Sequence, residues 1–332
     1  MLAGFITACV GKPVSKTPPQ EVATAEIEGF RLVQTIPLPN VEGRIDHLSV
    51  DLKGQRLFVA ALGNDTVEIL DLSVGQPIQT ISGLSEPQGV VFIPELNKIY
   101  VTNGGSGVCQ IFDGASFKQI GRIEFSDDAD NLRYDTGASS IYVGYGNGAV
   151  GVVDTASEKH IGDVKLAGHP ESFQLEQSGP RIFVNIPSAN QIAVVDREKR
   201  MVIATWPLKE AKANYPMALD ESHHRLFVGF RQPAKLSVYD TESGNMVTSL
   251  DSVGDVDDIF YAAMRKHIYV VGGEGFIDIF EQEDADHYKL LTQIPTAAGA
   301  RTGLFVPELN RFYVAVPHRE SQEAEVRIYK VQ

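Results

Sequence analysis

Two cysteines in 332 residues leave no room for a disulfide framework, and neither Cys9 nor Cys109 belongs to a Cys-x-x-Cys pair or a Cys/His metal spacing. Basic residues are outnumbered. The 29 Lys and Arg stand against 43 Asp and Glu, a formal net charge of −14. Such a surface repels phosphate backbones and anionic headgroups, which removes nucleic acid from the expected partners. Past the first nine residues no apolar run approaches the roughly 20 residues that a membrane-spanning helix needs. Helical periodicity is missing, and so are a G-x-S-x-G elbow, a P-loop and an H-E-x-x-H pair. Gly146-Asn-Gly-Ala-Val-Gly151 spells G-x-G-x-x-G but lies in a strand hairpin and opens no helix, so it is no dinucleotide fingerprint. Nothing in the chain offers an evident nucleophile. Cys109 reads as a small packed hydrophobe, Trp206 as edge packing and His223-His224 as a solvated turn.

What is present is a repeat. Arg56-Leu-Phe-Val59, Lys98-Ile-Tyr-Val101, Ser140-Ile-Tyr-Val143, Arg181-Ile-Phe-Val184, Arg225-Leu-Phe-Val228, His267-Ile-Tyr-Val270 and Arg311-Phe-Tyr-Val314 recur every 41 to 44 residues. Each copy carries a second β-branched and aromatic segment about ten residues later, from Val67-Glu-Ile-Leu-Asp71 to Val326-Arg-Ile-Tyr-Lys330, most ending in an Asp that can start the next turn. A short strand precedes each aromatic copy, as in Leu48-Ser-Val-Asp51, and a weaker one follows, as in Pro77-Ile-Gln-Thr-Ile81. Four short strands per copy and seven copies predict an all-β fold, a seven-bladed propeller of four-stranded blades. The seventh copy stops after its third strand. Phe30-Arg-Leu-Val-Gln-Thr-Ile-Pro37 fits the missing outer strand and is expected to close the ring, which removes the open sheet edge.

Tyr100-Val-Thr-Asn103 is the signature tetrapeptide of YVTN-type propellers, and over residues 30–332 the repeats resemble the YncE-like branch of that group. The resemblance implies exported envelope proteins, often without an assigned activity. The N-terminus agrees: Ile6-Thr7-Ala8-Cys9, at the end of a short apolar run, resembles the lipobox of bacterial lipoprotein signals, in which the cysteine is lipidated. The expected organisation is a signal remnant over 1–9 with Cys9 as the lipidation site, an extended Pro-, Ser- and Thr-rich tether over 10–28, and one propeller domain over 29–332. The expected location is the bacterial cell envelope, periplasmic or tethered to the outer membrane, and the expected state a monomer.

The repeat also aligns the chain with itself. Twelve residues before each aromatic, where the inner strand begins at the channel mouth, stand Asp46, Gln88, Asp130, Glu171, Tyr215, Asp257 and Arg301. All are polar, and their identities scatter where the surrounding strands are uniform. Arg301 falls between Asp257 and Asp46 and is expected to neutralise both, with Asp258, His47 and Arg44 extending the network. Asp130 and Glu171 have no basic neighbour in the ring. Asp128 and His169, two residues before them, share their side of an extended chain. Asp128, Asp130, His169 and Glu171 are therefore candidate ligands for a divalent cation, either oxygen-rich for Ca²⁺ or mixed for Zn²⁺ or Mn²⁺.

Loops of uneven length open on the same face: Tyr145-Gly-Asn-Gly148, Phe230-Arg-Gln-Pro233, His318–Glu325 and Lys209–Asn214. Variable loops on one face of a repeat array mark a binding face. The functional expectation is a non-catalytic scaffold that binds a small ligand, peptide or envelope protein at the channel mouth through Asp46, His47, Gln88, Asp130, Asn131, Glu171, Tyr215, Asp257 and Arg301. It requires no cofactor, with a divalent cation as the one candidate. The alternative is a metal-assisted hydrolase of lactonase type at the same site.

Overall fold

The computed structural model describes Met1 and residues 29–332; Cys9 and the tether lie outside the described residues. Seven four-stranded antiparallel sheets form a closed ring, with only short 3₁₀ turns besides strands among the described residues. In each blade the first strand lines the channel and the fourth lies at the rim. Blade one runs through Leu48–Asp51, Arg56–Ala61, Thr66–Asp71 and Gln76–Ile81. Blade seven is completed by Phe30–Pro37, which pairs antiparallel with Glu325–Val331 from Phe30↔Val331 to Pro37↔Glu325. The seven blades and their closure by the N-terminal strand follow the sequence period.

Strand alternation explains why the second strands are apolar without interruption. Leu57, Val59 and Ala61 point into the cluster shared with Val306 and Tyr313 of blade seven, while Phe58 and Ala60 point into the cluster shared with Ile99 and Val101 of blade two. Each blade is sandwiched between two others, so both of its faces are core. The aromatic that defines the repeat is buried in all seven copies. Most of the terminal aspartates act as expected. Asp71, Asp113, Asp154, Asp196 and Asp240 each accept a backbone N–H two or three residues on, as from Ser116 at 2.7 Å and Ser243 at 2.8 Å.

Two sets of bulges modify this frame. The outer strand of every blade has one extra residue in its pairing with the third strand: Val33, Ile78, Ile120, Ile161, Ile203, Val247 and Leu291. These strands are the free edges of the blades. A bulge there twists the edge away from regular pairing with another chain. The second set lies in the inner strands and builds the site.

Candidate functional site

In six of the seven blades the channel-mouth residue sits in an inner-strand bulge. Gln88-Gly89, Asp130-Asn131 and Tyr215-Pro216 fall inside register shifts, as does Asp257. In blade one Asp46 donates its N–H to Ala60 O and His47 O accepts from Ala60 N; Glu171 and Ser172 relate to Asn185 in the same way. A bulge breaks the in-and-out alternation of side chains. Two consecutive residues can then face the channel, which is how Asp46 and His47, or Asp130 and Asn131, come to share one wall.

All seven ring residues line a single cavity of about 250 Å³ at the mouth, with His47, Asn131, Asp128 and His169. Arg44, Ser172 and Arg231 complete it. Ser172 and Arg231 were not among the residues expected from sequence. Arg231 belongs to the Phe230-Arg-Gln-Pro233 segment, which the loop pattern places on this face, but its reach depends on the hairpin's direction.

Arg231 reorganises one arc of the ring. Its Nη2 lies 2.6 Å from Asp257 Oδ1, and its guanidinium stacks on Tyr215 with 3.8 Å between the central carbon and the ring centroid. Arg301 contacts Asp257 at 3.0 Å and Asp255 at 3.0 Å. The expected Arg301–Asp46 pair is not formed, because Asp255 and Asp257 already occupy the guanidinium. Asp46 instead meets Arg44 at 3.2 Å and His47 at 3.6 Å. Burial pushes the Asp46 carboxyl up to about 7, with His47 and Arg44 pulling against it and Asp257 and Asp130 adding to it.

The other arc also departs from expectation. Asp130 is not without a base: His169 Nε2 lies 3.6 Å from its Oδ2, while His169 Nδ1 donates to Gly146 O at 2.6 Å and stands 3.6 Å from Asp128. Burial opposes charge on this ring, but the contacts to Asp130, Gly146 and Asp128 outweigh it and raise its pKa to about 9. Gln88 donates to Asp128 at 3.1 Å. Glu171 is left. Its carboxylate makes no hydrogen bond or ion pair with any described residue, and burial together with the charge of Asp130 pushes it up to about 8.

The four candidate metal ligands lie on one wall, but among the described residues no group of three or more His, Cys, Asp or Glu side chains is arranged to hold an ion.

Comparison with known proteins bears on the fold and the family. No protein-family profile matches the chain. Two curated proteins named uncharacterized protein YncE, from Salmonella typhimurium and Salmonella typhi, are each 24% identical over 192 residues, 56% of this chain and 54% of theirs. The chain is a YncE-like seven-bladed β-propeller. It spans about half the length of the curated relatives it matches, and their names assign no activity. Among solved structures, the Kuenenia stuttgartiensis hydrazine synthase superposes with a TM-score of 0.73 at 14% identity, over 90% of this chain and 96% of that one. A chain of the mitotic checkpoint complex superposes with a TM-score of 0.77 at 13% identity, over 99% of both. At such identities these likenesses concern the propeller fold alone.

Proposed function

We propose that this YncE-like propeller is a binding module whose channel mouth takes a small molecule through a cationic group, an ammonium or a guanidinium. One observation carries the reading: Glu171 presents to the cavity a carboxyl group with no hydrogen-bond or ion-pair partner among the described residues, whereas the cavity's other acids are paired. Carboxylates held away from water without a partner are costly and are usually compensated. An organic cation on Glu171, flanked by Asp130, supplies that compensation. It needs hydrogen-bond acceptors rather than a closed set of metal ligands, and acceptors are what this wall offers. The N-terminal resemblance to a lipoprotein signal extends the proposal to a module tethered at the bacterial envelope.

The test is calorimetric titration of the protein with a panel of primary amines and guanidinium compounds at pH 8.5, beside Glu171→Gln. At least one compound should bind the wild type and bind the variant tenfold more weakly or worse, a loss of about 1.4 kcal/mol or more. No binding across the panel, or equal binding by the variant, rejects the reading.

A further inference from the structure

Below the mouth lies a second cavity of about 230 Å³. His47, Asn131 and Ser172 line both spaces and separate them. The lower chamber has far fewer ionisable side chains than the mouth. Its ionisable side chains are Arg133, His47 and Asp258, two potential cations facing one acid.

The acid is already committed. Asp258 Oδ2 accepts the N–H of Gly303 at 2.9 Å, and Oδ1 lies 3.6 Å from His47 Nδ1. Arg133 has no carboxylate within ion-pair range among the described residues. Its guanidinium lies beside the ring of Phe173, 5.6 Å from the centroid. Only Nη1 finds acceptors, donating to the Asn131 side-chain oxygen and to Leu132 O at 2.8 Å. Nε and Nη2 donate to no described residue, although a guanidinium offers five donors in a fixed fork.

Asn131 sharpens the deficit. Its one oxygen is taken by Arg133, so its NH₂ is turned on His47 Nε2 at 3.0 Å. Burial works against charge on the His47 ring, but Asp258 and Asp46 overcome it and raise its pKa to about 10. A charged His47 then faces the Asn131 NH₂ group on its Nε2 side and leans on Asp46 and Asp258, each at 3.6 Å.

We propose that the lower chamber is a binding site for a small monovalent anion, of halide or simple carboxylate kind, held by the free edge of the Arg133 guanidinium. Ser172 lies at the boundary with the mouth and offers a hydroxyl to the same guest. This site is independent of the cation reading for Glu171, since it uses another chamber, the opposite charge and other side chains.

Bromide is the probe. Crystals of the whole protein soaked in sodium bromide should show an anomalous peak within hydrogen-bonding distance of Arg133. In solution, urea unfolding between 10 and 200 mM bromide should show wild-type stability rising with log bromide. Arg133→Met and the charge-retaining Arg133→Lys, which lacks the fork, should lose most of that dependence, and comparing variants cancels the general salt effect. A chamber that shows water and no anomalous peak overturns the proposal. An equal bromide dependence in all three proteins does so too.

Discussion

Replacing Glu171 by glutamine should stabilise the protein at pH 9 and change nothing at pH 4. A glutamate carboxyl ordinarily titrates at 4.5, and this one is held at about 8 in the fold. Between those values the unfolded chain has released its proton and the native state keeps it. Folding therefore binds a proton, stability falls as pH rises through this window, and the cost is complete above about pH 8. A difference of about 3.5 pKa units at 1.36 kcal/mol each sets a ceiling of about 5 kcal/mol. The side chain faces a water-accessible cavity, and screening reduces this to an expected 1–3 kcal/mol. Glutamine has nearly the same volume and cannot ionise. Asp46 titrates in the same direction in both proteins and cancels in the difference. The assay is urea unfolding of wild type and Glu171→Gln from pH 4 to 9. Urea is uncharged, so it does not screen the ring. The two curves should coincide at pH 4 and separate progressively to pH 9 with the variant more stable. A variant equal or inferior at pH 9 would refute the reasoning, because it would mean that the ionised carboxylate has a partner in the fold.

Three further outcomes are expected. Ile36→Ala, in the closing strand and fully buried, should cost about 2–5 kcal/mol in denaturant unfolding, the range for a buried aliphatic truncated to alanine. Deleting Ile78, the bulge residue of the first outer strand, should leave stability within about 1 kcal/mol while straightening a free edge; light scattering should then report more self-association than in wild type. Cys109 is buried with its thiol pushed up to about 12 by desolvation. In a Cys9→Ser background it should resist a disulfide reagent at pH 8 and react fully once the chain is unfolded in urea, since the thiolate is the reactive form.

The ring of blades was legible because one burial requirement repeats seven times. Each second strand must face two neighbours, so Arg56–Ala61 and its equivalents are apolar on both sides, and the aromatic marks the interface. The mouth residues were legible for the converse reason: a position that repeats in place but not in identity is free of that packing demand. The pairing of charges was not legible. Arg231 reaches Asp257 from the adjacent blade and His169 reaches Asp130 from the next one. Such contacts depend on how far each blade is rotated against its neighbour, which no spacing within a single repeat records. The outer bulges are equally silent in the sequence, because the residues of strands such as Pro77–Ile81 carry no mark at the one position where alternation breaks.

The inner bulges tie these observations together. Along a regular strand alternate residues point into the same space, and a seven-bladed channel would present one side chain per blade at each level. Two residues opposing one at the mouth place a second residue beside the first in six blades, a side chain in five of them and the bare backbone of Gly89 in the sixth. The first residue of each pair faces the mouth, and the second borders the chamber beneath, as His47, Asn131 and Ser172 do. One backbone irregularity, repeated, thus divides the channel into two spaces with separate chemistries. Among the described residues the upper one holds an acid with no ion-pair partner in range, Glu171, and the lower one a base with none, Arg133. The mismatches lie in adjacent blades, Glu171 at the start of blade four and Arg133 in the first strand of blade three. They do not cancel, because the second bulge residues of those blades, Asn131 and Ser172, stand between the two spaces.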